Sequence, residues 1–393
     1  MTAIKITGVK TVVVNAEMRN WIFVKVLTDQ DGLYGWGEAS LNWKTRAVSG
    51  TIEDLEPLVL GRDPRDIEQL LRILNKHSYY RLGIIGATAI SGIEHALWDI
   101  FGKSLGLPVW RLLGGRVRDK VRVYTHLGLG DMRAVYETFD EGALADKALA
   151  VVDKGYDALK VVFIPYSHFL ADIPGRKHVG RLMRVLREAV GDKVDIMIDF
   201  HGRPASISAA LQFIEELAPY RPMFCEEPVQ PGDPEALRLI TERAPCPIAS
   251  GERLVGFKEF EPLFQTKALN IVQPDLNHTG GILEGKRIAA AAEQAFMGVA
   301  PHNPNGPVAG AAALHFDVST PNFVIQEEMS GAVPWYDDVV TTPMRRTGSY
   351  WAVPDQPGLG VEINEVEAAK HPFKQEVIHT EGAVLEDGTI VDW

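Results

Sequence analysis

From Val121 onward the chain alternates short β-rich runs with amphipathic helices, and this alternation limits the fold more than any other feature. The runs are Val121–Leu127, Ala158–Phe163, Asp195–Phe200, Met223–Val229, Pro247–Gly251, Ile271–Leu276, Gly298–His302 and Phe323–Gln326. Their first residues advance by 24 to 37 positions, the length of one strand–helix unit. Helical stretches such as Arg181–Val190, Ile207–Leu217, Pro234–Arg243 and Gly281–Glu293 lie between them. Parallel strands need crossovers of this length, and eight units predict a closed (β/α)₈ barrel. The last helix, Val308–Phe316, precedes the eighth strand, so the barrel is expected one helix short, a (β/α)₇β-like form.

The first part of the chain reads differently. Ile4–Asn15 and Asn20–Leu27 look like paired strands, followed by turn glycines at 32, 35 and 37. Pro64 opens a helical stretch, Arg65–His77, and a strongly apolar helix, Gly86–Leu105, ends near Gly106 and Pro108. Gly114-Gly115 marks the expected boundary. The expected organisation is an α+β capping domain over residues 1–115, a barrel over 116–350, and a tail over 351–393 that returns to the cap.

Composition excludes several classes. A formal net charge of -12 argues against a nucleic-acid partner, which needs a basic face. No apolar run approaches membrane-spanning length, and Met1–Val14 alternates like a strand rather than a signal peptide. Two cysteines, Cys225 and Cys246, exclude a disulfide framework and fit a reducing compartment. A soluble cytoplasmic protein is expected.

Barrels place chemistry at the C-terminal ends of their strands. Here those ends carry Asp199 and His201, Glu226 and Glu227, Glu252 and Arg253, Asp275, His302, and Glu327. Asp199, Glu226 and Glu252 are 27 and 26 residues apart, one unit each, so three carboxylates can converge on one hard cation. Oxygen-only ligands favour Mg²⁺ over Zn²⁺, and Cys225 should point away from Glu226. A carboxylate substrate losing its α-proton builds up negative charge that such a cation would stabilise. His302 and Asp275 end neighbouring strands, so Asp275 can hold one ring nitrogen and leave the other as a base. His201, two residues after Asp199, falls on the same strand face by a period of two and could protonate a leaving hydroxyl. Glu327 could hydrogen-bond a substrate carboxylate if protonated, or act through a neighbour.

With these stretches the sequence resembles the enolase superfamily, mandelate racemase subgroup, and within it the D-galactonate dehydratases. The resemblance rests on Asp199-Phe200-His201-Gly202-Arg203, Glu226-Glu227-Pro228-Val229, Gly251-Glu252-Arg253, Gln273-Pro274-Asp275-Leu276 with His278 and Gly280-Gly281, Ala300-Pro301-His302, and Gln326-Glu327. It extends to Trp21–Lys25 and Gly35–Glu38 in the cap and Gly358–Val361 in the tail. It implies Mg²⁺ ligation by Asp199, Glu226 and Glu252, His302 with Asp275 as base, and His201 as acid. It also implies a homo-oligomer, dimer or octamer. The activity expected is dehydration of an aldonate to a 2-keto-3-deoxy acid, with galactonate, gluconate, arabinonate and mannonate all open. The alternatives are an epimerase or cycloisomerase using the same metal and base, and a non-catalytic sugar-acid binder. One departure stands out. Many relatives end strand two in Lys-x-Lys, but here the run is Lys160-Val161-Val162, which weakens a racemase reading.

Other residues carry a plain and a functional reading. Lys160 either neutralises the carboxylates or touches substrate. Arg253 could orient its neighbouring ligand or bind substrate, and Glu227 should point off the metal. Trp43, Lys44 and Arg46 are placed on a cap loop that could close over substrate. His126 and His278 are assigned to loop hydrogen bonds. Gly280-Gly281 opens a helix and could bind an anion, or serve packing. Gly128 and Gly130 with Arg133 give no nucleotide site.

Overall fold

The computed structural model describes residues 3–77, 79–129, 141–377 and 383–392. Gly130 and Arg133 lie outside them. β1 (Ile6–Ala16), β2 (Arg19–Thr28) and β3 (Tyr34–Glu38) form an antiparallel sheet in that order. Three helices cover it: α1 (Thr45–Val59), α2 (Ile67–Lys76) and α3 (Gly83–Leu105). α3 is buried on every side from Gly86 to Ile100, which explains its near-uniform apolarity. It packs close to β3: a Cβ on Gly37 would lie 1.9 Å from the Gly92 carbonyl oxygen. α1 corrects the expected cap loop. Arg46 sits in this helix, with its guanidinium 4.9 Å from the Phe373 ring centroid in the tail. Half-buried Trp43, at φ +60°, belongs to the turn before it.

A short helix, α4 (Val109–Leu112), leads to the barrel. Its strands are β4 (Lys120–His126), β5 (Ala158–Val161), β6 (Asp195–Asp199), β7 (Phe224–Glu226), β8 (Ile248–Ser250), β9 (Ile271–Val272), β10 (Gly298–Val299) and β11 (Gln326–Glu327). β4 to β10 pair in parallel in sequence order, and β11 returns to pair with β4. A parallel bridge between Val299 and Phe323 closes the remaining gap. Seven helices alternate with these strands: α5 (Glu141–Asp153), α6 (Ile173–Val190), α7 (Ile207–Leu217), α8 (Pro234–Arg243), α9 (Gly256–Thr266), α10 (Ile282–Gln294) and α11 (Pro307–Val318). The barrel is therefore the (β/α)₇β form. After β11 the chain forms β12 (Arg346–Thr347) and β13 (Tyr350–Ala352), and β13 pairs antiparallel with the start of β4. Gly358, Glu362 and Glu376 of the tail contact the cap, the last two by hydrogen bonds to Trp36, Lys103, Asn20 and Thr45. A turn of helix, α12 (Glu365–Ala368), lies on that path. Residues 383–392 go elsewhere: Asp387 pairs with His168 of the β5–α6 loop at 3.1 Å.

One buried residue from each barrel strand or its flank fills the interior: Tyr124, Ala158, Met197, Phe224, Ala249, Ile271, Ala300 and Ile325. Mixing large and small side chains lets this layer close without a pore. Cys225 faces outward into the surrounding core, its Sγ 3.5 Å from Cys246 Sγ. No helix among the described residues is long and apolar enough to cross a membrane.

Candidate active site

The interior layer also positions the site, because strand side chains repeat every two residues. Two positions beyond seven of its members stand His126, Lys160, Asp199, Glu226, Gln273, His302 and Glu327. Apolar packing thus gives way within one step to polar and ionisable side chains. The exception is β8. There Gly251, at φ +136°, turns the chain and Glu252 follows it.

Asp199, Glu226 and Glu252 each offer an oxygen within 4.8 Å of the others. Glu252 Oε2 is buried without a hydrogen-bond partner among the described residues. Such an atom is costly unless a cation or another donor meets it. A hard divalent cation fits this all-oxygen set. Of the two roles open to Lys160, the geometry realises neutralisation. Its Nζ lies 2.9 Å and 3.0 Å from the two Glu226 oxygens, 3.0 Å from Glu327 Oε1 and 3.8 Å from Asp199 Oδ2. Burial and the neighbouring carboxylates of Asp199, Glu252 and Glu327 push Glu226 well up, against the pull of Lys160. Asp199 is held low: His201 and Lys160 outweigh the effect of burial.

Glu327 sits among groups that favour its charged form, and so favour action through a neighbour over a protonated donor. Lys160, His302 and His126 hold it well below the usual carboxylate range despite burial. His126 Nε2 lies 2.5 Å from Glu327 Oε1, and Asn303 N donates to Oε2 at 2.8 Å. His126 is therefore not a loop residue but part of the ionic cluster, missed in the sequence. Counting two positions on from Tyr124 would have found it.

His302 Nδ1 meets Asp275 Oδ2 at 2.8 Å, as their neighbouring strands suggested. Its Nε2 faces Glu252 Oε2 at 3.5 Å and Glu327 Oε2 at 4.0 Å. Burial works against a charged ring, yet Glu252, Glu327 and Asp275 together raise it to about 10. His201 Nε2 lies 3.1 Å from Asp199 Oδ2. It reaches there by a different route from the one the period of two implied: β6 ends at Asp199, and His201 follows in a turn at φ +51°, its backbone N–H donating to Asp199 Oδ1. Four strand steps separate β6 from β10 around an eight-membered ring, so His201 and His302 approach from opposite walls.

Glu227 points away from the carboxylate cluster. It takes Arg253 Nε at 2.8 Å and Gly251 N at 3.1 Å, while Arg253 Nη1 donates to Gln230 Oε1 at 2.6 Å. Arg253 is thus engaged beside the turn that carries Glu252. Val162 is buried and offers no titratable group where Lys-x-Lys relatives carry a second lysine. The helix opened by Gly280-Gly281 does receive a carboxyl group, but from its own chain. Glu94 of α3 accepts from Ile282 N and Leu283 N, both at 2.9 Å, at the start of α10. Glu38 of β3 does the same for α11, accepting from Gly306 N at 2.7 Å and Ala309 N at 2.9 Å. These two cap carboxylates dock the cap onto the face of the barrel that carries the site.

The comparisons with known proteins agree with this arrangement. Residues 3–114 match the family model for the mandelate racemase / muconate lactonizing enzyme N-terminal domain, and residues 143–367 match the enolase C-terminal domain-like model. D-galactonate dehydratase of Cronobacter sakazakii is 36% identical over 387 residues, covering 95% of this chain and 96% of that protein. The Klebsiella pneumoniae D-galactonate dehydratase is 35% identical, covering 95% and 96%. Among solved structures, an enolase from Pantoea ananatis with bound D-gluconate and Mg superposes with a TM-score of 0.84 at 31% identity, covering 94% of this chain and 95% of that one. Another from Agrobacterium radiobacter, with bound Na and L-malate, gives a TM-score of 0.89 at 31% identity, covering 98% and 99%. By fold, domain matches and near full-length similarity, this chain belongs to the enolase superfamily, in its mandelate racemase / muconate lactonizing branch.

Proposed function

We propose that the protein is a Mg²⁺-dependent sugar-acid dehydratase that converts an aldonate to a 2-keto-3-deoxy acid. The observation that carries this reading is the convergence of Asp199, Glu226 and Glu252 between two histidines on opposite walls. The names and bound sugar acid of the relatives support the same chemistry, with D-galactonate and D-gluconate as the first substrates to try.

In this reading Asp199, Glu226 and Glu252 hold the cation. When bound, it offsets the negative charge that builds on the substrate carboxylate as the α-proton leaves. With the cation offsetting Glu252, the carboxylate that most favours the charged ring, His302 takes the C2 proton at Nε2, because Asp275 holds the ring by Nδ1. His201 donates a proton to the C3 hydroxyl, which leaves as water. The resulting enol tautomerises to the 2-keto-3-deoxy acid, so proton and oxygen are accounted for. Lys160, His126 and Glu327 fix the charge on the wall beside the substrate, and Arg253 braces Glu227. Trp43 and Arg46 are assigned to the cap side of the substrate. Val162 in place of a second lysine favours dehydration over two-base epimerisation.

Residues 1–115 with the tail from 351 to 377 serve as the cap, and 116–350 as the catalytic barrel, against which residues 383–392 lie. Cytoplasmic residence is supported by the two free thiols. A homo-oligomer, dimer or octamer, follows from the family resemblance.

The test is a screen of C4 to C6 aldonates and aldarates with Mg²⁺, reading 2-keto acid. Product from at least one aldonate, lost on His302→Asn, is the expected result. Binding without product from every acid would favour the sugar-acid binder instead.

A further inference from the structure

The segment after β9 runs along one face of the cap helix α3. Thr88 Oγ1 lies 3.0 Å from His278 Nδ1, Ser91 Oγ accepts from Gly280 N at 3.0 Å, and Glu94 caps α10. Positions 88, 91 and 94 form a single helical stripe. The first of these contacts bears on His302.

Asp275 has few acceptor sites to spare. Its Oδ2 takes His302 Nδ1 at 2.8 Å and Asn305 Nδ2 at 3.1 Å, and its Oδ1 takes Asn277 N at 2.7 Å. A carboxylate oxygen has two lone pairs, so Oδ2 is filled. His278 Nε2 stands 3.5 Å from that same Oδ2, outside ordinary hydrogen-bond range. A proton on Nε2 would make His278 a third donor, competing with His302. Thr88 prevents this. Its hydroxyl has one proton, which goes to Ile84 O at 2.7 Å, the bond back along the helix that Thr commonly makes. Toward His278 it can only accept, so the ring proton sits on Nδ1. Burial favours the neutral ring, pushing His278 down against the pull of Asp275.

We infer that Thr88, buried in the cap, is a positioning residue: by holding the His278 proton on Nδ1 it reserves Asp275 for His302. His302 then keeps its Nδ1 bond to Asp275 with Nε2 turned toward Glu252 and the substrate side, a step that rests on the reading of His302 as the base. The link makes the cap helix part of the base's support as well as a cover for the site.

The test uses the full chain with Mg²⁺ and ¹⁵N-labelled histidine. Long-range ¹H–¹⁵N correlations report the tautomers of His278 and His302, and kcat and KM are measured on the aldonate that the protein turns over. The wild type should show His278 protonated at Nδ1. Thr88→Val should move that proton to Nε2 and lower kcat roughly tenfold, with KM changed less than about twofold. Thr88→Ser, which keeps the acceptor, should match the wild type in both. In a His278→Leu background, Thr88→Val should have no further effect on kcat, because no competing donor remains. An Nε2-protonated His278 in the wild type would overturn the inference, and so would a Thr88→Val loss that persists without His278. If no aldonate is turned over, the dehydratase reading fails, and the wild-type tautomer alone decides the role of Thr88.

Discussion

The molecule buries two sets of carboxylates and treats them in opposite ways. In the cap, Glu38, Glu94 and Asp99 are filled by donors. Glu94 takes two backbone N–H groups and Trp98 Nε1; Asp99 takes Trp36 N at 2.9 Å, Leu359 N at 2.8 Å and the Lys103 ammonium. At the barrel mouth, Asp199, Glu226 and Glu252 face one another, share Lys160 and His201, and leave Glu252 Oε2 without a hydrogen-bond partner among the described residues. A filled carboxylate holds structure together, because removing it strands its donors. An under-filled cluster costs stability and is kept for what it can bind. Burial alone therefore does not mark a cation ligand; between these two sets the count of donors around each carboxylate is what differs.

The two sets should separate under mutation. Glu252→Gln is expected to lower turnover by about 10³-fold or more, since it removes one of three cation ligands. The unliganded protein should melt at an unchanged or higher temperature, because like-charge repulsion is relieved. Glu94→Ala should do the reverse, destabilising the fold by roughly 3 kcal/mol in denaturant titrations by stranding two backbone N–H groups and the Trp98 indole N–H. Its cation affinity should stay within a few-fold of wild type. Mg²⁺ at a hundred times its dissociation constant should stabilise the wild type by about 2.7 kcal/mol, by mass action. Glu252→Gln should show little of that gain at the same concentration in a thermal-shift assay. The smallest effect is at Gly281, φ +97°, where a Cβ would lie 2.3 Å from Glu94 Oε2. Gly281→Ala should cost about 2 kcal/mol through backbone strain and a disturbed cap carboxylate. If Glu94→Ala proved neutral, or Glu252→Gln proved strongly destabilising, the distinction between the two sets would collapse.

The barrel was legible because its signal is periodic and local: each strand run is rich in apolar residues and each crossover has the length of one helix. Asp199, Glu226, Glu252, Asp275 and His302 were legible for the same reason, as ionisable groups at regular strand ends. α1 was not, although Val48, Ile52, Leu55 and Val59 form a buried helical stripe. Gly50 and Pro57 interrupt it, and both weaken a helix by local rules that packing overrides here. His126 was missed because a histidine ending the first strand looks like any loop histidine until the interior layer is known. His201 was found by a strand rule that does not hold past Asp199, since a left-handed turn rather than a strand places it. The barrel partners of Glu94 and Thr88 lie 189 and 190 residues away in the chain, and no local pattern reports such contacts.

The most direct test is to incubate the protein with D-galactonate or D-gluconate and Mg²⁺ in D₂O and follow C2 and C3 by NMR. The account predicts conversion to the 2-keto-3-deoxy acid, abolished by EDTA and by His302→Asn. Deuterium appearing at C2 without any keto acid would contradict dehydration and point to an epimerase or cycloisomerase. Keto acid formed equally well in EDTA would contradict the role given to Asp199, Glu226 and Glu252.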